Sequence, residues 1–169
     1  MSKVNAPIRV LPMEEYFALV RQMLSENGQA YVRVTGMSMW PLLCHLRDGV
    51  VLKASSAIHT GDIVLFDRRN GRYALHRVIF KGKHGFVMAG DNQWHFEKNL
   101  PYSQIVGVVD EIDRDGRRIA SRNIFVKMYG LLVTGLTFPR IYLRKGVSRL
   151  ARLFRRPQPN PGKEGADED

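Results

Sequence analysis

Four short stretches hold the residues whose types and spacing could do chemistry: Gly36-Met37-Ser38-Met39-Trp40-Pro41, Gly61-Asp62-Ile63-Val64, Leu75-His76-Arg77-Val78 and Gly90-Asp91-Asn92. Singly, each has a bland explanation. A Ser-Met-x-Pro tetrapeptide arises by chance, Gly-Asp and Gly-Asp-Asn are ordinary turn chemistry, and a histidine on a strand is usually structural. Ser38 stands out by position. It falls where a strand ends, and Pro41 then tolerates only the first turn of a short helix. Its hydroxyl is thus presented at a sharp bend, with backbone N–H groups nearby. A free hydroxyl is a poor nucleophile at neutral pH and needs a base. A neutral imidazole, with a pKa of about 6.5, can take such a proton and return it to a leaving amine. The chemistry on offer is nucleophilic hydrolysis.

In this order and at these spacings the four stretches resemble the catalytic domain of the signal peptidase I family. The nearer likeness is to the branch in which His replaces Lys as the base, as in endoplasmic-reticulum and archaeal-type signal peptidases. The resemblance runs from Tyr31 to Ile119. It implies Ser38 as nucleophile and His76 as general base, a role typically worth ~10²–10⁴ in rate. It also implies Asp91 as the carboxylate that fixes the imidazole tautomer and stabilises the imidazolium. The resembled branch has a further acid pair several residues on. Here those positions read Phe96-Glu97, so Glu97 is the secondary acid and the orienting role stays open between it and Asp91. Many family members have a hydroxyl two residues before the serine, where this chain has Gly36. An oxyanion hole would then rest on backbone N–H groups at the Gly36–Ser38 turn, with Thr35 as a stand-in. One lost donor there costs about 2.7–4 kcal/mol. The implied activity is that of a serine endopeptidase cutting extended peptides after small residues, the peptide lying along a sheet edge.

The elements that must position these residues are mostly strands. Leu11 to Asn27 is the exception, an amphipathic helix with Met13, Phe17, Val20 and Leu24 on one face, Glu14 and Glu15 in its first turn and Asn27-Gly28 as a stop. Strands are expected over Ala30–Val34, Gly49–Lys53, Gly61–Phe66, Tyr73–Phe80, Phe86–Ala89, Ile105–Ile112 and Arg117–Ala120, with a short helix from Trp40 to Leu46. Asn70-Gly71 is a two-residue hairpin signal. Short strands without a βαβ rhythm argue for a mainly β fold, a coiled sheet or partly open barrel. The expected parts are an N-terminal helix (1–29), the β-domain (30–121), a helical segment (122–156) and a disordered tail (157–169).

The helical segment has two characters. Met128 to Pro139 is nearly apolar, but twelve residues of helix span only about 18 Å against a bilayer core of ~30 Å. Extending it to 124–143 brings in Lys127, Pro139 and Arg140, and central charges cost ~2.5–3.5 kcal/mol each. The expectation is therefore no transmembrane helix. Arg140 to Arg156 sets aliphatic residues among seven cations without an acid, the composition of an interfacial helix on an anionic membrane surface, or of a solvated cap.

Composition narrows the rest. With 169 residues, 44% hydrophobic and 25% charged, the chain falls in the range of a single globular domain. One cysteine, Cys44, excludes an internal disulfide, and the histidines show no metal-ligand spacing, so neither metal nor cofactor is expected. Met1 to Arg9 has no apolar core of a secretory signal, which points to a cytoplasmic or membrane-peripheral protein. The net charge of +10 would suit nucleic acid, but the cations lie among aliphatics rather than aromatics, so no nucleic-acid partner is expected. Two alternatives remain beside the peptidase. One is an inactive β-scaffold that binds peptide or membrane. The other is a self-cleaving regulator of the SOS-repressor kind, disfavoured because 37 residues before Ser38 are too few for a DNA-binding domain and a cleavage linker.

Overall fold

The computed structural model describes residues 12–54, 57–69 and 71–154. The expected tail at 157–169, and Asn70 of the expected hairpin turn, lie outside the described residues. Helix α1 (Met13–Asn27) is followed by strands β1 (Gln29–Arg33), β2 (Asp48–Lys53), β3 (Ile63–Asp67), β4 (Tyr73–Gly82), β5 (Gly85–Ala89), β6 (Glu97–Leu100), β7 (Ile105–Arg114) and β8 (Arg117–Ala120), and by helix α2 (Ile124–Phe154). The fold is mainly β, as the pattern of short strands and turns requires. All pairings are antiparallel, in the order β1-β2-β7-β3-β4-β5-β6, with β8 also on β7. The sheet ends in two free edges, β1 and β6, so it is not closed. Strand β7 is the hub, because its ten residues reach β3 with one end and β2 and β8 with the other.

Two apolar clusters sandwich this sheet. One gathers Phe17, Val20 and Leu24 of α1 with Val32, Val50, Leu65 and the loop residues Met39 and Leu43. The other gathers Val64, Phe66, Val78, Phe86 and Met88. Alternation along β4 sends Leu75 to the first cluster and Ala74 and Val78 to the second, as the two-residue period of a strand demands. In α1, Met13 is exposed rather than on the packed face.

The expected helix from Trp40 to Leu46 is not there; the segment is a run of turns. The cause is Asp48, whose side chain is fully buried. Its carboxylate accepts the Cys44 N–H at 2.8 Å, a donor that a helix would spend on its own ladder. It also accepts from Arg47 at 2.8 Å and from Arg114 at 3.2 Å. Arg114 donates as well to the Leu42 carbonyl at 2.6 Å, which straps the loop to β7.

The second difference is α2, one continuous helix of 31 residues where the sequence reading parts an apolar from a basic half. Pro139 removes one ladder bond, but buried Thr137 and Ile141 on either side are held by packing. Over Ile124–Arg144 the helix is, by length and composition alone, long and apolar enough to cross a membrane, a weak sign that leaves the expectation of no clear transmembrane helix in place.

Burial raises the Asp48 carboxyl, and the hydrogen bonds from Arg47, Cys44 and Arg114 outweigh it, holding it at about 2. A carboxylate with a depressed folded pKa adds stability above its unfolded value, lost as pH falls through the folded one. Urea unfolding of Asp48→Asn should show a deficit on the order of 2 kcal/mol at neutral pH that closes as pH falls from 4 toward 2. A deficit independent of pH would show that shape rather than charge holds the loop.

Candidate active site

Ser38 lies on the loop from β1 to β2, and backbone contacts hold it there. The Asn92 N–H donates to the Ser38 carbonyl at 2.8 Å, and the Asn92 side-chain amide donates to the Met37 carbonyl at 3.2 Å. The Gly90-Asp91-Asn92 turn is thus bound directly to the serine loop. Gly90 makes the approach feasible, because a Cβ there would stand 2.5 Å from the Ser38 carbonyl oxygen.

Arg77 pairs with Ala89 across β4 and β5, so the turn that grips Ser38 follows directly on the strand paired with the one that carries His76.

His76 itself is fully buried, opposite Val64 on β3 and with its ring 5.5 Å from that of Phe66. Its Nδ1 stands 3.2 Å from a carboxylate oxygen of Glu97, in ion-pair range but out of line for a hydrogen bond. Neither ring nitrogen has a hydrogen-bond partner; no hydrogen bond joins Ser38 to His76. Burial pushes the imidazole pKa down, more than Glu97 pushes it up, so the ring is neutral at pH 7. Glu97 is in turn gripped by Arg68, whose Nη2 and Nε both reach it. Burial raises the Glu97 carboxyl, and the contacts with His76 and Arg68 outweigh this, bringing it down to about 2.

Asp91 is engaged elsewhere. Its two oxygens accept from Arg77 Nε at 2.8 Å and Nη2 at 2.7 Å, a fork-to-fork pair with both side chains buried. Arg77 spends a further donor on the Gly61 carbonyl at 2.8 Å. From α2, Arg140 donates to the carbonyls of Asp91 and Gln93, each at 2.7 Å. Of the expected acids, the structure sets Glu97 against the imidazole and Asp91 against the neighbouring arginine. Glu97 arrives on β6, a strand absent from the sequence reading, where it pairs with Met88 of β5 while Leu100 pairs with Phe86.

The Gly36 N–H, an expected oxyanion donor, gives its hydrogen bond to His45 Nδ1 at 2.8 Å. Gly36 has φ +94 and open space around a would-be Cβ, so the backbone turn rather than crowding calls for glycine. Sequence reasoning missed His45, Arg68 and the clamping role of Arg140. Arg140 was visible only as one of a run of cations, and the other two carry no local signal. Among the described residues, no three His, Cys, Asp or Glu side chains are placed to hold a metal.

Set against known proteins, the Peptidase S24-like family model matches residues 3–110, a span containing Ser38, His76, Asp91 and Glu97. No curated protein and no solved structure matches the chain.

Two measurements probe this geometry. Because the folded His76 pKa is depressed, its contribution to stability is full above about pH 6.5 and is lost as pH falls below it. Denaturant midpoints from pH 7.5 to 5 should therefore fall more steeply for wild type than for His76→Gln; parallel curves would contradict a neutral buried imidazole. Gly90→Ala should shift the amide signals of residues 36–40 in NMR spectra while leaving those of β7 in place. An unchanged loop would mean that Gly90 is not what admits Ser38.

Proposed function

Because the chain belongs to the Peptidase S24-like family, we propose that it is a serine endopeptidase in which Ser38 is the nucleophile, His76 the general base and Glu97 the acid that orients it. The observation that carries the reading is the His76 ring, neutral and buried, with Nδ1 against a carboxylate and Nε2 without a partner. A proton on Nδ1 facing Glu97 leaves the Nε2 lone pair to take the Ser38 proton, the division of labour of acid–His–Ser hydrolases. Buried polar atoms are nearly always paired, so an unpaired nitrogen on a buried imidazole supports a functional reading of His76. Catalytic hydrogen bonds are often long in a free enzyme and tighten around substrate, which accounts for the missing Ser38–His76 bond.

The family match speaks for the peptidase class. The His-based branch resembling signal peptidase rests on His76 standing where other members carry lysine. On this reading the substrate is an extended peptide with small residues before the cut, added to a free sheet edge. An apolar cavity of about 500 Å³ between Pro41, Leu42, Ile112, Ile119 and Phe125 opens three residues past Ser38 and suits an apolar side chain of that peptide. The Gly36–Ser38 turn would supply the oxyanion donors, with Ser38's own N–H foremost while His45 holds that of Gly36. That occupied N–H and the absence of a Ser38–His76 hydrogen bond favour a second reading, a scaffold that binds peptide without cutting it.

Mass spectrometry of a precursor peptide with a small-residue site, incubated with wild type, Ser38→Ala and His76→Ala, separates the two. The peptidase predicts cleavage by wild type and a loss of ~10²–10⁴ for His76→Ala; intact peptide in all three selects the scaffold. Glu97→Gln should lower kcat and move the acid limb of its pH profile to lower pH, since Glu97 raises the His76 pKa. Asp91→Asn should instead cost ~3–5 kcal/mol of folding stability by stranding buried Arg77, with the acid limb in place. The reverse pattern would give the orienting role to Asp91.

A further inference from the structure

Helix α2 is amphipathic in reverse. Its packed side meets the domain through polar and small groups as much as apolar ones. Tyr129 lies against Arg77, a Cβ on Gly130 would come 2.8 Å from Arg77 Nη1, and Thr137 and Ile141 are buried. Its outward side is apolar: Phe125, Met128, Leu131, Leu132, Leu136 and Leu143 are all more than half exposed. No acid occurs from Arg122 to Arg156. At the C-terminal end of this face, Trp94 is flanked by the guanidinium groups of Arg140 and Arg144, 5.1 and 5.0 Å from its ring centroid. An open apolar groove of about 930 Å³ runs there between Trp94, Leu136, Pro139, Leu143 and Val147.

We propose that α2 and Trp94 form a docking surface for an anionic lipid bilayer, with the helix lying in the plane of the interface. Water is a poor neighbour for an apolar face of this size, and the charge around it selects the occupant. Arginines beside a half-exposed indole suit the phosphate level of a membrane, where aromatic and basic side chains collect, while the groove takes up acyl chain. The orientation follows from the packed side. To cross the bilayer, α2 would have to leave Arg77 and surrender the hydrogen bonds from Arg140 to the Asp91 and Gln93 carbonyls. Lying flat keeps them and sinks only the outward face, as interfacial helices do. Those Arg140 bonds end on the turn that holds Ser38, so docking places the serine loop next to the membrane; this last consequence rests on the peptidase reading.

The test is sedimentation of the full chain with vesicles of phosphatidylcholine alone and vesicles in which phosphatidylglycerol replaces part of it. Binding should require phosphatidylglycerol and weaken with salt. It should fall at least ten-fold for Leu131→Glu/Leu132→Glu/Leu143→Glu and be unchanged for Ser38→Ala. Trp94 emission, read in a Trp40→Phe background, should be quenched by lipids brominated on the acyl chain. This readout decides the matter if the triple variant does not fold. Binding that ignores lipid charge, unquenched Trp94, resistance to alkaline extraction of the kind a spanning helix shows, or a lipid-free dimer broken by the glutamates would each overturn the proposal. The assay contains no peptide, so its failure and that of the peptidase reading are separate results.

Discussion

The rest of the site depends on one buried ion pair, Arg77 with Asp91. A guanidinium taken out of water is costly unless its donors are met, and removing one partner of such a pair is far worse than never having had it. Here Asp91 meets two donors and the Gly61 carbonyl a third. Satisfying Arg77 therefore fixes three separate pieces of chain: the turn before β3, the turn after β5, and the stretch of α2 that leaves room for it at Gly130. The turn after β5 is the one that grips the serine loop. Ser38 is placed at second hand by an arginine on the strand that carries His76.

Adjacent residues of β4 solve opposite problems. Arg77 points to the side where a carboxylate and a carbonyl take three of its donors, whereas His76 points toward an apolar cluster and finds no hydrogen bond. Desolvation favours the neutral imidazole. Glu97 moderates this, and Arg68 keeps Glu97 ionised from the solvent side. A base must hold a lone pair at rest and still accept a proton during the reaction. On the proposed reading of His76 as that base, burial would provide the first and the Glu97 carboxylate the second.

Much of the fold was legible because its signals are local. The alternation of the strands, the αL glycine that ends α1 and the turn residues between hairpins each act within a few positions, and seven of the eight strands follow from them. β6 was missed because Glu97-Lys98-Asn99-Leu100 has no β-propensity of its own; it is a strand only through pairing with the edge of β5. The Trp40–Leu46 helix failed for a related reason, since the acceptor that diverts the Cys44 N–H is a buried aspartate outside the segment. In the site, sequence order brought out Ser38, His76, Asp91 and Glu97, but not which acid faces the imidazole. That choice turns on β6 and on Arg77, both of which are tertiary facts.

The way Ser38 is held bears on how the site could work. Beside the packed side chains of Met39 and Leu43, hydrogen bonds anchor the loop by its backbone: the Ser38 and Met37 carbonyls, the Gly36 N–H, the Leu42 carbonyl. The main chain is fixed on both sides of the serine while the hydroxyl is left to its rotamer. His76 is the converse, a buried ring packed beside Phe66 with neither nitrogen in a hydrogen bond. In such a pair the economical motion is a rotation about the serine χ1, which costs far less than moving a buried ring out of packed surroundings. A peptide laid along the sheet edge, covering the loop from solvent, would supply the reason for the hydroxyl to turn inward.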